Sequence, residues 1–355
     1  MDAASSPSFL PAEVYRSETI AAIERERYAP RFWHPVAAEA ELPRHHVRAV
    51  EILGAPVLLC HGSDGVMQAF RNRCPHRAVA FREPGEGSVS CRRLVCPYHG
   101  WTYDLRGQLL AAAREAEFVA PFDRREWPLE RLGCRVLGSL IWVAPGSDPI
   151  PLEEQLDLPL REAGPALEMS LVPLAFHEQT LACNWKIAHD NTLDDYHVAI
   201  AHPTTLHRLQ GPVRHYRHRF GTWANVLSTP WAEPAAANAP ATAARIGAEG
   251  EFLTYGLPPW NHLLLWPDGR LAMIQFLPEC LDRCRMQVWL LGPGERQAEG
   301  AALMAEMAQF LAEDRALVES AQRGYGDGFR TGPPHRLEAR ILHQQAIYRR
   351  LVQPW

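Results

Sequence analysis

The chain has 355 residues, 47% apolar and 22% charged, with a formal net charge of −5. That length supports a sizeable core and two domains, and the mild mixed charge, with no basic stripe interleaved with aromatics, excludes nucleic acid as the natural partner. No apolar run reaches the roughly 20 residues needed to span a membrane, and the eight cysteines, with no export signal at the start of the chain, read as thiols or metal ligands in a reducing, cytoplasmic compartment.

Residues 1–30 form a lead with a small, polar beginning. Over 31–145, short runs broken by Gly, Asp and Pro (VEILGAPVLLC, GVMQAF, LVC, WTYD, CRVLGSLIWVAP) predict a small antiparallel β domain with long loops. Within it, 136–144 reads as one buried strand. Four prolines over 146–165 mark a connector into a second domain, 146–355. There, NWKIAHDNTLDDYHVAI reads as a helix. FLTYGLPPWNHLLLW, LAMIQFLP and CRMQVWLLG read as strands. Residues 301–323 read as the longest helix, and the tail after Gly332 as one more amphipathic helix. The Ala/Pro-rich stretch 232–247 reads as a surface insertion.

Two loops in the first domain carry chemistry. CPHRAVAF holds Cys74 and His76, and CPYHGW holds Cys96 and His99. Two thiolates and two imidazoles suit tetrahedral zinc, or a two-iron, two-sulfur cluster with two Cys on one iron and two His on the other. Zinc fingers tend to pair like with like. Here each loop supplies one ligand of each type, which favours two loops gripping a two-metal unit from opposite sides.

The second domain holds a second constellation. On a 3.6-residue period Ile187, Asn191, Asp194 and His197 share a face. His202 lies five residues beyond His197, with Pro203 next. A break near Ala201 swings both imidazoles toward one point. In the long helix Asp314 falls inside the apolar stripe of Leu303, Met307, Phe310, Leu311, Leu317, Val318 and Ala321, while Glu313 and Arg315 point elsewhere. A carboxylate on an apolar face is costly unless paired or metal-bound. Two His and one carboxylate make the facial triad of non-haem Fe(II) oxygenases; a satisfied core salt bridge is the alternative.

Taken together, CPHR…CPYHGW, then NWK…Asp194…His197…His202, then EDRALVESAQRG, resemble the oxygenase (alpha) component of the Rieske non-haem iron oxygenases, in its shorter, single-subunit form. The resemblance covers nearly the whole chain. It departs from the family pattern in a slightly longer spacing between the loops and in Ala78, where a glycine is common. It implies an α+β fold: an N-terminal Rieske [2Fe-2S] antiparallel β domain and a C-terminal helix-grip-like domain, a curved antiparallel sheet around a long helix. It implies that Cys74, His76, Cys96 and His99 hold the cluster and that His197, His202 and Asp314 hold a mononuclear Fe(II). Asp194 matches the acidic residue bridging the two centres, and Asn191 an asparagine near the iron. O2 is the implied cosubstrate. Electrons come from NAD(P)H through a separate reductase, with or without a ferredoxin. The implied assembly is a homotrimer in which the cluster of one chain serves the iron of the next, by way of His99, Asp194 and His197.

The substrate is a small organic molecule. Leu206, Trp223, Asn225, Asn261, His262, Met307 and Phe310 are the candidate pocket walls, an apolar and aromatic set with a few neutral polar groups. The resemblance to shorter members favours hydroxylation or oxidative demethylation of an aromatic or natural-product-like substrate. A cis-dihydroxylating aromatic-ring dioxygenase is the alternative. A Rieske electron-transfer protein without oxygenase activity is the alternative of another class.

Overall fold

The computed structural model describes residues 7–231, 250–326 and 328–352. The expected surface insertion at 232–247 lies outside them. The chain divides into two units: 30–149, and the lead up to Ala29 together with the chain from Ile150 onward.

The 30–149 unit is antiparallel β throughout. Its strands are β1 (His34–Ala38), β2 (His46–Ile52), β3 (Ala55–His61), β4 (Met67–Arg71), β5 (Ser88–Ser90), β6 (Leu94–Val95), β7 (Thr102–Tyr103), β8 (Leu109–Ala111), β9 (Arg131–Leu137) and β10 (Leu140–Ala144). Seven form one sheet in the order β1-β10-β9-β4-β3-β2-β5, and β6-β7-β8 form a second, small sheet. Strand β3 is buried on both faces, and its period of two separates two cores. Val57 and Leu59 join Ala37, Ile52, Ile141 and Val143 on one side. Leu58 and Cys60 join Phe70, Cys74, Cys96, Trp101 and Tyr103 on the other. The stretch expected as one strand over 136–144 is instead the β9–β10 hairpin. Leu137 pairs with Leu140, and Gly138 and Ser139 both take positive φ (62° and 57°), as a tight two-residue turn requires. Apolar residues on both arms hide that turn from a periodicity reading.

The other unit begins with α1 (Glu18–Ile23), followed after the first domain by α2 (Leu152–Gln155) and α3 (Asp157–Leu167). Its sheet comprises β11 (Val172–Leu181), β12 (Arg217–Phe220), β13 (Asn225–Pro230), β14 (Glu251–Leu257), β15 (Asn261–Leu265), β16 (Leu271–Cys280) and β17 (Arg283–Gly292). The order is β11-β17-β16-β15-β14-β13-β12, antiparallel at every step. Between β11 and β12 run α4 (Trp185–Thr192), α5 (Val198–Ala201) and α6 (Leu206–Gln210). The long helix α7 (Gly300–Gly324) packs on β11 and α4, and α8 (Ala339–Val352) closes the described chain. Leu303, Met304, Met307, Phe310, Leu311 and Val318 form the buried stripe of α7. Its first residue must be glycine, because a Cβ there would lie 2.0 Å from the Leu174 carbonyl oxygen.

The lead is tied to α4 by a buried ion pair. Lys186 Nζ meets Glu24 Oε1 at 2.7 Å, and Glu24 Oε2 also accepts from Trp185 Nε1. This anchors the start of the segment that carries the second constellation.

Candidate functional site

The two Cys–His loops of the first unit are built alike. In one, the Cys74 N–H donates to the Val79 carbonyl (2.8 Å) and the Ala78 N–H to the Cys74 carbonyl (2.8 Å). In the other, the Cys96 N–H donates to the Trp101 carbonyl (2.8 Å) and the Gly100 N–H to the Cys96 carbonyl (3.0 Å). Each turn closes on a residue with positive φ four positions after its cysteine: Ala78 at 60° and Gly100 at 71°. The missing glycine noted in the sequence therefore forces an L-residue into the left-handed region.

The loops bring histidine to histidine and cysteine to cysteine. His76 Nδ1 and His99 Nδ1 are 3.1 Å apart. Both sulfurs are buried while the imidazole edge faces solvent. Burial raises the Cys74 thiol pKa; the His76 amide opposes that, and the adjacent Cys96 adds to it. The buried Tyr103 hydroxyl is directed at Cys74, with Cys96 nearby. Thiolates or sulfides would accept that proton, so the residues fit a metal–sulfur group. Trp101 stacks on the His76 ring, with centroids 5.0 Å apart and planes 5° apart, and shields one side.

The second constellation forms differently from the sequence expectation. The expected continuous helix ends at Thr192, so Asp194 and His197 are not held by a shared helical face. Asp194 Oδ1 accepts from the backbone N–H groups of Tyr196 (2.8 Å) and His197 (3.3 Å). These local bonds replace helical ones. The chain then makes the single turn α5, and His202 follows as its C-cap.

His197, His202 and Asp314 meet, each offering one ligand atom, with all three atoms within 4.8 Å of one another. His197 Nε2 and His202 Nε2 are 3.2 Å apart, and Asp314 Oδ1 lies 3.4 Å and 3.0 Å from them. His202 Nδ1 is 2.6 Å from Glu313 Oε2, which also accepts from Thr205 Oγ1 at 2.6 Å. Burial disfavours charge on His202, but Asp314 and Glu313 raise its pKa; a carboxylate on Nδ1 makes that nitrogen the N–H donor, and an unprotonated Nε2 would face a carboxylate oxygen with its lone pair. Two acceptors in contact need a cation between them, so the donor set fits a metal ion. Burial disfavours charge on His197. The Asp194 and Asp314 carboxylates outweigh it and raise its pKa to about 10; the pull that draws a proton there would hold a cation equally.

Asn191 Nδ2 donates to Asp314 Oδ1 at 2.7 Å, and Asp194 Oδ2 lies 3.5 Å from His197 Nδ1. Glu313, expected to point away, instead supports His202. Asp314 and Glu313 address opposite nitrogens of one ring, which adjacent positions on a helix can do when the ring lies edge-on to it. Thr205, three residues after His202, was the only local hint.

A cavity adjoins the three ligand atoms. Among the expected walls it is lined by Leu206, His262 and Phe310. Trp223, Asn225, Asn261 and Met307 are not brought to it. Asn225 Oδ1 accepts from Arg340 Nε (2.8 Å), Asn261 Oδ1 accepts from Gln275 (2.9 Å), the Trp223 ring lies under the Arg350 guanidinium, and Met307 is core. Sequence reasoning missed Val198, Gln210, Thr254, Leu264, Ile274 and Leu311. Three of these lie on sheet strands, where only register decides the facing side.

Residues 32–123 match the Rieske [2Fe-2S] domain, and residues 161–354 match the ring hydroxylating alpha subunit (catalytic domain). The carnitine monooxygenase oxygenase subunit of Escherichia coli (strain K12) is 28% identical over 322 residues, 89% of this chain and 83% of that protein. The methanesulfonate monooxygenase hydroxylase subunit alpha of Methylosulfonomonas methylovora is 29% identical over 197 residues, 52% of this chain and 48% of the relative. This chain thus spans about half the length of that relative. In fold, the chain is similar to the quaternary ammonium Rieske monooxygenase CntA (TM-score 0.80, 22% identity, covering 98% of this chain and 97% of that one). It is also similar to naphthalene 1,2-dioxygenase from Rhodococcus sp. (TM-score 0.78, 17% identity, covering 97% and 94%).

Proposed function

This chain belongs to the ring hydroxylating alpha subunit family, with a Rieske [2Fe-2S] domain ahead of the catalytic domain, and on that premise we propose that it uses O2 and reductase-supplied electrons to oxygenate a small organic molecule. The observation that carries this reading is the convergence of His197, His202 and Asp314 on one point beside an apolar cavity. His197, His202 and Asp314 would hold the iron, which would supply O2 activation, and Cys74, His76, Cys96 and His99 would hold the cluster, which would supply single electrons.

The chain's own residues bind, orient and shield. Glu313 fixes the His202 tautomer, so Nε2 is the ligand atom. Asn191 donates to Asp314 Oδ1, the oxygen that faces both imidazoles, and so holds the carboxylate toward the metal position. Asp194 faces the outer nitrogen of His197 and is placed to pass a change in charge to a ligand ring. Apolar walls exclude water and position the carbon to be attacked.

Monooxygenation, as hydroxylation or oxidative demethylation, is the favoured outcome. The carnitine, glycine betaine and methanesulfonate relatives are monooxygenases. The proposal includes a separate reductase fed by NAD(P)H and a homotrimer in which His99 of one chain serves Asp194 and His197 of the next. It also includes a cytoplasmic setting, consistent with cysteines of which none is in a disulfide among the described residues. Among the described residues no helix is long and apolar enough to cross a membrane.

A single turnover tests the reading. Protein reduced without oxygen is mixed with O2 and candidate substrates, and the cluster's absorbance is followed. Substrate-dependent reoxidation with one labelled oxygen atom in the product is expected. Reoxidation that ignores every substrate, with no labelled product, contradicts it.

A further inference from the structure

Apart from the candidate metal ligand His197, the cavity beside His197 and Asp314 contains one imidazole whose hydrogen bonding is unfinished. His262 sits on β15, opposite Gly256 of β14 and Ile274 of β16. It lines the cavity and is 5% exposed, yet its Nδ1 is buried without a hydrogen-bond partner. Buried polar atoms are nearly always paired, so an orphan in a cavity wall marks a place for a ligand group.

Except for the Gln210 amide N–H groups, the other polar groups of the wall away from the metal ligands are spoken for. Thr192 Oγ1 donates to the His189 carbonyl. Asp195 is held by the Arg340 guanidinium (3.1 Å) and by His218 Nε2 (2.8 Å). Arg340 is itself fully buried and spends its remaining donors on Asn225 Oδ1 and on the hydroxyl and carbonyl of Thr254. Gln210 accepts from the Tyr216 hydroxyl through Oε1 (2.9 Å), which leaves only its amide N–H groups to turn to a ligand. No uncompensated charge therefore faces the cavity on the side away from the metal ligands.

The apolar part is aliphatic. Val198, Leu206, Leu264, Ile274 and Leu311 form it, with Phe310 as the sole aromatic carbocycle. A trimethylammonium cation is recognised by stacked aromatic faces or by a free carboxylate. On the side away from the metal ligands this wall offers neither: its one aromatic ring stands alone, Asp195 is neutralised by Arg340, and Asp194 is held by the Tyr196 and His197 N–H groups and faces His197 Nδ1. A carboxylate or sulfonate substrate would need a free Arg or Lys, and Arg340 is committed.

We propose that His262 is the polar anchor of the substrate site, and that the substrate is an uncharged, mainly hydrocarbon molecule whose single hydroxyl or carbonyl bonds to this imidazole. The proposal rests on the oxygenase reading above. It separates this chain's substrate class from the quaternary ammonium compounds and sulfonate in the names of its relatives. Burial and the nearby Arg340 charge lower the His262 pKa well below its usual value. The ring is then neutral at physiological pH and serves as donor or acceptor without bringing a charge into the cavity.

The test compares three probes of similar size by titration calorimetry on the purified, metal-analysed protein: benzyl alcohol, ethylbenzene and benzyltrimethylammonium. Benzyl alcohol is expected to bind about 5- to 10-fold more tightly than ethylbenzene, the worth of one neutral hydrogen bond. In His262→Leu that preference should vanish while ethylbenzene binds as before. Thermal unfolding and cluster colour establish that the variant folds, and His262→Gln, which keeps a polar tip, should recover part of the preference. Benzyl alcohol binding no better than ethylbenzene, the cation binding best, no probe binding at all, or a preference unchanged in His262→Leu each overturns the proposal. Iron and sulfide contents of the same samples report separately on the oxygenase reading, so the two can fail independently.

Discussion

Glu313 and His202 meet at 2.6 Å, carboxylate oxygen to Nδ1, although 111 residues separate them. The next residue, Asp314, faces Nε2 of the same ring at 3.0 Å. One carboxylate therefore sets the tautomer, and its neighbour shares the metal position.

Replacing Glu313 by Gln removes the charge that stabilises the Nδ1–H tautomer. Outer-sphere changes of this kind typically cost 10–100-fold in metal affinity. Glu313→Gln should lose mononuclear iron on dialysis that leaves the wild type loaded, with acid-labile sulfide unchanged. Equal iron retention would mean that Glu313 only fills space.

Ala78 and Gly100 occupy equivalent turns with φ of 60° and 71°. An L-residue in that region costs about 1–2 kcal/mol. A Cβ on Gly100 would meet nothing within 4 Å, so strain alone decides its replacement. Ala78→Gly should slow thermal bleaching of the cluster, and Gly100→Ala should speed it by a comparable free energy. Changes of the same sign in both variants would contradict the strain argument.

Asp190 is buried under hydrogen bonds from the Tyr15 hydroxyl (2.7 Å) and Gln345 Nε2 (2.9 Å). Burial raises its pKa to about 7; Tyr15, Gln345 and Lys186 oppose the shift and Asp194 adds to it. The folded pKa lies above the unfolded value of about 3.9, so the folded chain binds this proton more tightly. The associated stability is complete below pH 4 or so and is lost as pH rises through about 7. Asp190→Asn cannot ionise. Its melting temperature, measured against wild type from pH 5 to 8, should gain on the wild type as pH rises. Parallel curves would show that Asp190 stays ionised throughout.

Much of this was legible in the sequence because it is local. The two Cys–His loops are contiguous motifs, and their backbone hydrogen bonds span only four or five residues. Strands β14 to β17 and most of the α7 stripe follow from periodicity, whereas β11, β12 and β13 were not read as strands and Leu317 of the expected stripe is exposed. Long-range features were not legible. The break after Thr192 depends on Asp194 capturing two backbone N–H groups, a competition that helical spacing does not reveal. Asn225 has the composition of a pocket residue, but it is claimed by Arg340, 115 positions away. Asp195, which sits between two candidate site residues, serves the same buried network.

The most direct measurement is iron and acid-labile sulfide per chain in protein purified without oxygen, for wild type and Asp314→Ala. The account predicts about three irons to two sulfides in the wild type. In the variant it predicts about two to two, with the cluster's absorption unaltered. A wild type that stays near two to two after iron is added back, or an Asp314→Ala protein that keeps the third iron, would contradict a mononuclear site built from His197, His202 and Asp314.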